Sequence, residues 1–252
     1  MTTLLAASLG NSRLALGVFE LPASNGVPSP SLRVFLPLPD SARYAPDFAP
    51  GGAADVAVVA SVNPPRERAV LDWLSREFAL APLRFPADLP SPVSCRAEQV
   101  GADRLANAAA AHEEFGGGCV IVDAGTAITV DAVSRDGAFL GGAILPGVRL
   151  CAAALARGTA LLPELDPDRS DAAIGLTTED AVASGLLRGL AGAVDRLVAE
   201  VGAELGETYQ VIATGGDADR LAPHCDAGIE LRPHLTLSGL VAAYCSAPDT
   251  AC

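Results

Sequence analysis

Two short loops with the same pattern of glycine and polar residues could do chemistry in this sequence. They are Ala7-Ser8-Leu9-Gly10-Asn11-Ser12 and Val122-Asp123-Ala124-Gly125-Thr126-Ala127. The second lies 115 positions after the first, and each stands between two apolar runs. Glycine lets the backbone turn sharply and come close to a ligand, and the flanking hydroxyls and amides can donate hydrogen bonds to phosphate oxygens. The pair predicts two similar lobes that bind one nucleotide from both sides.

A third glycine turn and a charged segment extend this pattern. Thr214-Gly215-Gly216 also follows an apolar run, and three such turns suit a site that binds a triphosphate and an adenosine without lysine. Gly101-Ala102-Asp103-Arg104 precedes an alanine-rich helical segment and has two interpretations. Either Asp103 interacts with the helix N-terminal dipole while Arg104 faces solvent, or Asp103 is a base and Arg104 anchors an anion or a hydroxyl.

Ordinary structural interpretations remain open for the glycine-rich turns. The segment at Gly125, taken alone, could be a simple hairpin turn. Gly141–Gly147 is predicted as a loop between a strand and a helix, although its glycine density also suits close approach to a ligand or to the partner lobe.

The elements that must position these segments form an α/β pattern with partly parallel sheets. The continuous apolar run at 55–62 is typical of a buried parallel strand, and the glycines at 116–118 mark the lobe boundary. The segment 22–31 is predicted as a loop. Strands are predicted at 4–19 (a hairpin), 32–36, 55–62, 83–85, 119–123, 126–133, 138–140 and 210–213, and helices at 66–78, 103–114, 178–205, from about 148 and from about 237.

Composition excludes several classes of function. The 252 residues have a formal net charge of −13, which disfavours binding to nucleic acid or anionic lipid. All 17 basic residues are arginine, so P-loop, Schiff-base and protein-kinase lysines are excluded. No apolar run approaches the roughly 18 residues of a membrane span, and no secretory signal is evident. The six cysteines lack the spacing of a zinc site. A soluble cytoplasmic protein with reduced cysteines is predicted.

Taken together, the motifs resemble the type III pantothenate kinases, members of the actin-like and sugar-kinase-like ATPase superfamily. The resemblance covers the whole chain. It rests on the first loop, SVNP at 61–64, GADR at 101–104, DAGTAITVD at 123–131, GGAILPG at 141–147, TTEDAVASG at 177–185, ATGGDA at 213–218 and LTLSGL at 235–240.

The resemblance implies two ribonuclease-H-like lobes with mixed sheets and flanking helices, placed at 1–117 and 118–252, in a homodimer. It also implies ATP-dependent phosphorylation of pantothenate to 4′-phosphopantothenate, the first step toward coenzyme A. Mg²⁺ would accompany ATP, and a monovalent cation, K⁺ or NH₄⁺, would also bind.

The resemblance further implies roles for individual residues. Asp103 would be the catalytic base and Asp123 would bind the monovalent cation. The expected ATP-binding residues are Ser8, Gly10, Asn11, Ser12, Arg13, Gly125 and Thr126, and the expected pantothenate-binding residues are Gly101, Ala102, Asp103, Arg104 and Thr178.

Two departures from the family pattern keep other functions open. Ser8 stands where the family has an aspartate, and 91–100 contains no aromatic residue where the family tends to have a tyrosine. One alternative is therefore a catalytically degenerate homologue that acts as a binding or regulatory protein. Another is a kinase or phosphatase of the same superfamily that acts on a different small hydroxyl compound.

Overall fold

The computed structural model describes residues 2–21, 32–37, 54–163, 165 and 172–248. The predicted loop at 22–31 therefore lies outside the described residues. The strands are β1 (Thr2–Leu9), β2 (Arg13–Leu21), β3 (Leu32–Pro37), β4 (Val56–Ser61), β5 (Leu83–Phe85), β6 (Ser94–Cys95), β7 (Gly118–Ala124), β8 (Ala127–Val133), β9 (Ala138–Pro146), β10 (Tyr209–Thr214) and β11 (Glu230–Leu231). The helices are α1 (Pro64–Phe78), α2 (Ala102–Phe115), α3 (Val148–Gly158), α4 (Thr178–Leu205), α5 (Ala218–Leu221) and α6 (Leu235–Cys245), with a 3₁₀ turn at Ala222–His224.

By its internal contacts the chain divides into two compact units. Unit 1 comprises Met1–Gly116, Gly137–Phe139 and His234–Cys252, and unit 2 comprises Gly117–Asp136 and Leu140–Pro233. Each unit is built on a mixed sheet with flanking helices. No helix among the described residues is long and apolar enough to cross a membrane.

The two sheets have the same strand order. In unit 1 the order is β3-β2-β1-β4-β5, and in unit 2 it is β9-β8-β7-β10-β11. In each sheet the central strand pairs antiparallel with its hairpin partner and parallel with a later strand. The short strand β6 pairs with Ala138 and Phe139, the first two residues of β9, which belong to unit 1.

The central strands lie where continuous apolar runs predicted them. Leu4–Ala7 in β1 and Cys119–Val122 in β7 are almost fully buried, as are Ala57–Ala60 in β4. Strands with neighbours on both sides and covered faces bury every side chain, so they lack the polar alternation of half-exposed strands. The predictions of a first hairpin and of a buried parallel strand at 55–62 are confirmed.

Helix boundaries follow local signals in the sequence. Helix α1 begins at Pro64, where a missing amide hydrogen costs no intrahelical hydrogen bond. Helix α4 is a single helix, in which the Thr177 hydroxyl accepts a hydrogen bond from the Asp180 amide at 3.1 Å and Gly206 ends the last turn in the left-handed conformation. The predicted helix at 178–205 is therefore confirmed.

The prediction of a loop at Gly141–Gly147 is wrong over most of that segment, because β9 continues through both glycines to Pro146. A side chain at Gly142 would place its Cβ atom 2.1 Å from the Val130 carbonyl oxygen on the neighbouring strand. The glycine therefore allows close packing of two strands, a role that glycine can have within sheets.

The cysteines follow the prediction in part. Cys95, Cys119, Cys151 and Cys225 are not in disulfides, whereas Cys245 is disulfide-bonded, so the prediction of reduced cysteines is wrong for Cys245. Burial, with smaller contributions from Asp195 and Asp226, raises the pKa of Cys225 to about 11. Burial therefore favours the neutral thiol at this position.

Helices α2 and α6 pack closely within unit 1. A Cβ atom at Gly239 of α6 would lie 1.8 Å from the Ala106 carbonyl oxygen of α2, so only glycine permits this helix separation. One turn away, the Thr236 hydroxyl donates a hydrogen bond to Oδ1 of the fully buried Asn107 at 2.8 Å. This contact fixes the helix whose first turn carries the GADR segment.

We expect Gly239→Ala to lower the free energy of unfolding by about 1–3 kcal/mol, because the added methyl group must push α6 away from α2. The matched control is Gly192→Ala in α4, where a Cβ atom meets open space. That variant should gain about 0.5–1 kcal/mol from helix propensity. Urea denaturation of both variants measures the difference, and equal stabilities would contradict the packing argument.

Candidate active site

The first glycine loop is held by the segment that follows β4. The Val62 amide donates a hydrogen bond to the Leu9 carbonyl oxygen at 3.0 Å, and the Asn63 side-chain amide donates to the Gly10 carbonyl oxygen at 3.4 Å. The loop closes on itself through a hydrogen bond of 2.9 Å from the Gly10 amide to the Arg13 carbonyl oxygen. The SVNP segment therefore positions the predicted nucleotide loop.

The GADR segment lies against the same residues. Asp103 is in the first turn of α2, and its Oδ1 atom accepts a hydrogen bond from the Arg104 amide at 2.8 Å. A Cβ atom built on Gly101 would lie 2.6 Å from Asp103 Oδ1 and 3.3 Å from Val62 Cγ1. The half-buried Asp103 carboxylate is thus placed near the segment that holds the first loop, within unit 1.

Neither interpretation of Asp103 excludes the other. The carboxylate is at a helix N-terminus, where the dipole favours negative charge, and this structural role is compatible with a chemical one. For Arg104, however, the interpretation that it only faces solvent is wrong. Its side chain is half-buried and its Cζ atom lies 5.3 Å from the centre of the Phe139 ring.

In unit 2, the second hairpin places Asp123 at the end of the central strand. Asp123 is half-buried and is paired with Thr129 on β8 and with Thr214 on β10. The hairpin turn closes through a hydrogen bond of 2.9 Å from the Gly125 amide to the Ala127 carbonyl oxygen. Asp123 thus lies beside a tight turn whose Thr126 side chain is exposed.

Two other loops of unit 2 contact this turn. The Gly147 amide donates a hydrogen bond to the Thr126 carbonyl oxygen at 3.0 Å, and the Asp217 amide donates to the Ala124 carbonyl oxygen at 2.9 Å. Gly215 has φ +95°, and a Cβ atom there would lie 2.3 Å from the Ala124 carbonyl oxygen and 2.6 Å from Asp123 Oδ1. The loop after β10 therefore packs directly on Asp123.

The carboxylates closest to this turn differ in their surroundings. Asp217 is buried and accepts a hydrogen bond from Arg220 Nη1 at 3.3 Å. Asp131 is also buried and accepts one from the Thr129 hydroxyl at 2.9 Å. Within the described ranges, no group of three or more His, Cys, Asp and Glu residues could hold a metal ion. Asp123 differs from Asp217 and Asp131 because it is half-buried near the end of β7.

The duplicated glycines are not required by the fold. Neither Gly10 nor Gly125 lies in the left-handed region, in contrast to Gly215. A Cβ atom at Gly10 would lie 3.4 Å from its nearest neighbour, and one at Gly125 would lie 3.7 Å away. The protein itself can therefore accommodate a side chain at both positions.

The other predicted site residues are placed as follows. Asn11, Ser12 and Arg13 are exposed at the tip of the first hairpin, and Ser8 is half-buried in β1, opposite Ala15. Thr178 is the exposed first residue of α4 in unit 2, whereas Gly101–Arg104 belong to unit 1.

Sequence reasoning assigned no role to three positioning residues, namely Asn63, Gly147 and Asp217. Asn63 and Gly147 stand in segments that carry the family resemblance, SVNP and GGAILPG, and Asp217 stands in ATGGDA. These positioning residues could have been found from the sequence, because each motif directly follows a strand that the sequence pattern predicts.

Comparison with known proteins decides the family. The model of the type III pantothenate kinase family matches residues 4–200. The chain belongs to the type III pantothenate kinase family. The type III pantothenate kinase of Dehalococcoides mccartyi strain 195 is 36% identical over 254 residues, covering 96% of each chain. That of Anaeromyxobacter sp. strain Fw109-5 is 36% identical over 253 residues, covering 94% of this chain and 96% of its own.

Solved structures confirm the predicted fold of this type III pantothenate kinase family member. A conserved Baf family protein from Campylobacter jejuni matches with a TM-score of 0.61 at 20% identity, covering 95% of this chain and 96% of its own. The activator of the 2-hydroxyisocaproyl-CoA dehydratase from Clostridium difficile, solved with bound ADPNP, matches with a TM-score of 0.51 at 13% identity, covering 96% and 92%. The fold is that of the actin-like ATPases, with mixed sheets and flanking helices.

We expect Gly215→Ala to lower the free energy of unfolding by about 2–4 kcal/mol, because an alanine is strained at this φ and its methyl group meets the Ala124 carbonyl. Gly125→Ala is the matched control in the adjoining turn and should change stability by no more than about 0.5 kcal/mol. Chemical denaturation of the two variants measures the contrast. A large loss in Gly125→Ala would mean that the fold, not a ligand, requires that glycine.

Proposed function

We propose that this chain transfers the γ-phosphoryl group of ATP to the primary hydroxyl of pantothenate, giving 4′-phosphopantothenate in the first step of coenzyme A biosynthesis. Its membership of the type III pantothenate kinase family supports this activity. The observation that carries the assignment of the base is the position of Asp103. Its carboxylate lies against the segment that holds the first nucleotide loop.

Asp103 accepts the proton of the attacking hydroxyl in this proposal. A primary alcohol is a weak nucleophile, and a positioned carboxylate removes its proton as the bond to phosphorus forms. The first turn of α2 fixes this carboxylate through the Arg104 amide. Gly101, Ala102, Arg104 and Thr178 complete the proposed pantothenate site, and the arginine provides a planar donor group for the substrate carboxylate.

The nucleotide is held without lysine. The proposed ATP contacts are Ser8, Gly10, Asn11, Ser12, Arg13, Gly125 and Thr126. Space at the two glycines supports them, because a phosphate can approach the backbone where no side chain intervenes. The Gly10 and Gly125 amides already donate within their turns, so the exposed polar side chains of Asn11, Ser12 and Thr126 act as the neutral donors to phosphate oxygens.

The remaining charge neutralisation would come from bound cations. A kinase with this ATPase fold uses ATP with a divalent metal, and Mg²⁺ is typically bound by one or two carboxylates together with substrate phosphates. The residues present fit a cation bound beside the phosphates, because half-buried Asp123 offers oxygen ligands next to an exposed threonine hydroxyl. We assign Asp123 to the monovalent cation, K⁺ or NH₄⁺. Bound Mg²⁺ would stabilise the charge on the transferred phosphoryl group.

Ser8 is the main departure from the family and defines the sharpest test. Ser8 occupies the position in the first sheet that Asp123 occupies in the second. Each precedes the last residue of its strand, Leu9 or Ala124, whose carbonyl oxygen accepts a backbone hydrogen bond. A hydroxyl binds Mg²⁺ less strongly than a carboxylate does. In the proposal, phosphates, water and the other carboxylates hold the metal.

We expect Asp103→Asn to reduce pantothenate-dependent ADP release by at least about 100-fold, because the amide cannot accept the proton. A coupled assay with pantothenate, ATP, Mg²⁺ and K⁺ measures this. Asp72→Asn is the control, since Asp72 is an exposed carboxylate of α1 in the same unit and should retain full activity.

The same assay can reject the proposal. Wild-type-like turnover by Asp103→Asn would show that another group is the base. No turnover by the wild type, with activity recovered in Ser8→Asp, would favour the degenerate homologue. Turnover with another alcohol but not with pantothenate would favour a different substrate.

The proposal includes a cytoplasmic homodimer, with ribonuclease-H-like lobes at 1–117 and 118–252. The large exposed apolar side chains of unit 2 support self-association through this unit, because burying them against a second copy would remove apolar area from water. Among the described residues, the exposed large apolar side chains all belong to this unit, namely Ile144, Leu150, Leu161, Ile174, Leu176 and Leu231.

We expect Leu176→Glu to shift the protein from dimer to monomer, because a carboxylate would be buried without a partner in an apolar interface. Leu176 is 93% exposed in the single chain. Ala203→Glu adds the same charge at an exposed position of α4 and serves as the control. Sedimentation equilibrium measures the mass of each variant, and a monomeric wild type would refute the dimer.

A further inference from the structure

Phe139 and Arg104 form a contact that sequence spacing did not suggest. The Arg104 Cζ atom lies 5.3 Å from the centre of the Phe139 ring, within the range of a cation–π interaction. The ring is fully buried, the arginine is half-buried, and both residues belong to unit 1. Partial burial strengthens such a contact because less water competes for the cation.

The position of the ring is fixed by the short strand β6. The Arg96 amide donates a hydrogen bond to the Phe139 carbonyl oxygen at 3.0 Å, and the Ser94 amide donates one to the Gly137 carbonyl oxygen at the same distance. The chain then runs from β6 to the first turn of α2, which carries Arg104. Strand β6 thus connects the segment that presents the ring with the segment that presents the guanidinium.

The path between β6 and α2 is also conformationally restricted. Gln99 has φ +53°, in the left-handed region that residues other than glycine rarely adopt. Gly101 lies two residues further on, and a Cβ atom there would lie 2.6 Å from Oδ1 of Asp103. The backbone that presents Arg104 is therefore constrained on one side by this turn and on the other by the helix.

We infer that Phe139 is a positioning residue that holds the Arg104 guanidinium for the carboxylate of pantothenate. Stacking occupies a face of the guanidinium, whereas its N–H donors point outward in the guanidinium plane, where a carboxylate binds. Arginine otherwise loses much side-chain freedom on binding, and an orientation fixed beforehand reduces that loss. This inference rests on the proposed function, since it takes Arg104 as a pantothenate contact.

The test measures pantothenate affinity by titration calorimetry on the full chain, so that it does not depend on turnover. Phe139→Leu keeps an apolar side chain and removes the ring, and we expect it to weaken binding by about 3- to 30-fold. Phe19→Leu, at another fully buried phenylalanine of unit 1, controls for loss of packing.

A double-mutant cycle separates positioning from a general structural effect. If the ring acts through Arg104, the effect of Phe139→Leu should disappear in an Arg104→Met background. An equal loss in both backgrounds, or a loss no larger than that of Phe19→Leu, would overturn the inference. Unchanged affinity in Arg104→Met would overturn it as well, because the arginine would then not bind pantothenate.

Fluorinated rings at position 139 keep the test decisive if the leucine variant does not fold. Mono-, di- and trifluorinated phenylalanine have nearly the shape of phenylalanine but a progressively weaker negative face. Pantothenate affinity should fall stepwise along this series at unchanged thermal stability, and a flat series would overturn the inference.

ADP release, measured on the same wild-type preparation, distinguishes the two failures. If the wild type shows no turnover but the double-mutant cycle still couples Phe139 to Arg104, the kinase activity is refuted and the positioning role of Phe139 is supported. If the wild type turns over but pantothenate affinity does not change along the fluorinated series, the positioning role is refuted and the kinase activity is supported.

Discussion

One backbone hydrogen bond, made once in each unit, anchors the strand end from which the glycine turn of that unit begins. The Val62 amide binds the Leu9 carbonyl oxygen in unit 1, and the Asp217 amide binds the Ala124 carbonyl oxygen in unit 2. Leu9 and Ala124 occupy equivalent positions in the repeat, at the last residue of the central strand. The residue that donates this hydrogen bond lies in the loop after the parallel strand, β4 in unit 1 and β10 in unit 2. Because the carbonyl group is anchored in this way, each glycine turn leaves its sheet in a fixed direction.

This anchoring gives the glycines two physical roles. Gly215 is required by the protein, since a side chain there would meet Ala124 and Asp123. Gly10 and Gly125 have room for a side chain, so they keep the turns accessible. In a chain whose basic residues are all arginine, such access matters because neutral polar groups must take over part of the phosphate binding. At the second turn, a glycine that packing requires therefore adjoins one that has room for a side chain.

Local patterns were enough to predict most elements. The apolar run at 55–62 and the alanine-rich segment at 103–114 became β4 and α2, because burial and helix propensity act on neighbouring residues. The segment Gly141–Gly147 was misread because glycine content favours loops locally, whereas contact with β8 stabilises a strand. The short strand β6 and the position of Arg104 over Phe139 depend on residues far apart in sequence, and no local pattern could reveal them.

The two hairpins differ by one residue, and this difference bears on how the halves of the chain diverged. Leu9 pairs with Leu14 in the first hairpin, whereas Ala124 pairs with Ile128 in the second. A one-residue change within a strand would turn every following side chain to the other face of its sheet. A change in the turn leaves both Leu14 and Ile128 in the core. An alignment of the two halves should therefore open its gap between Gly125 and Ile128, in the turn and not in a strand.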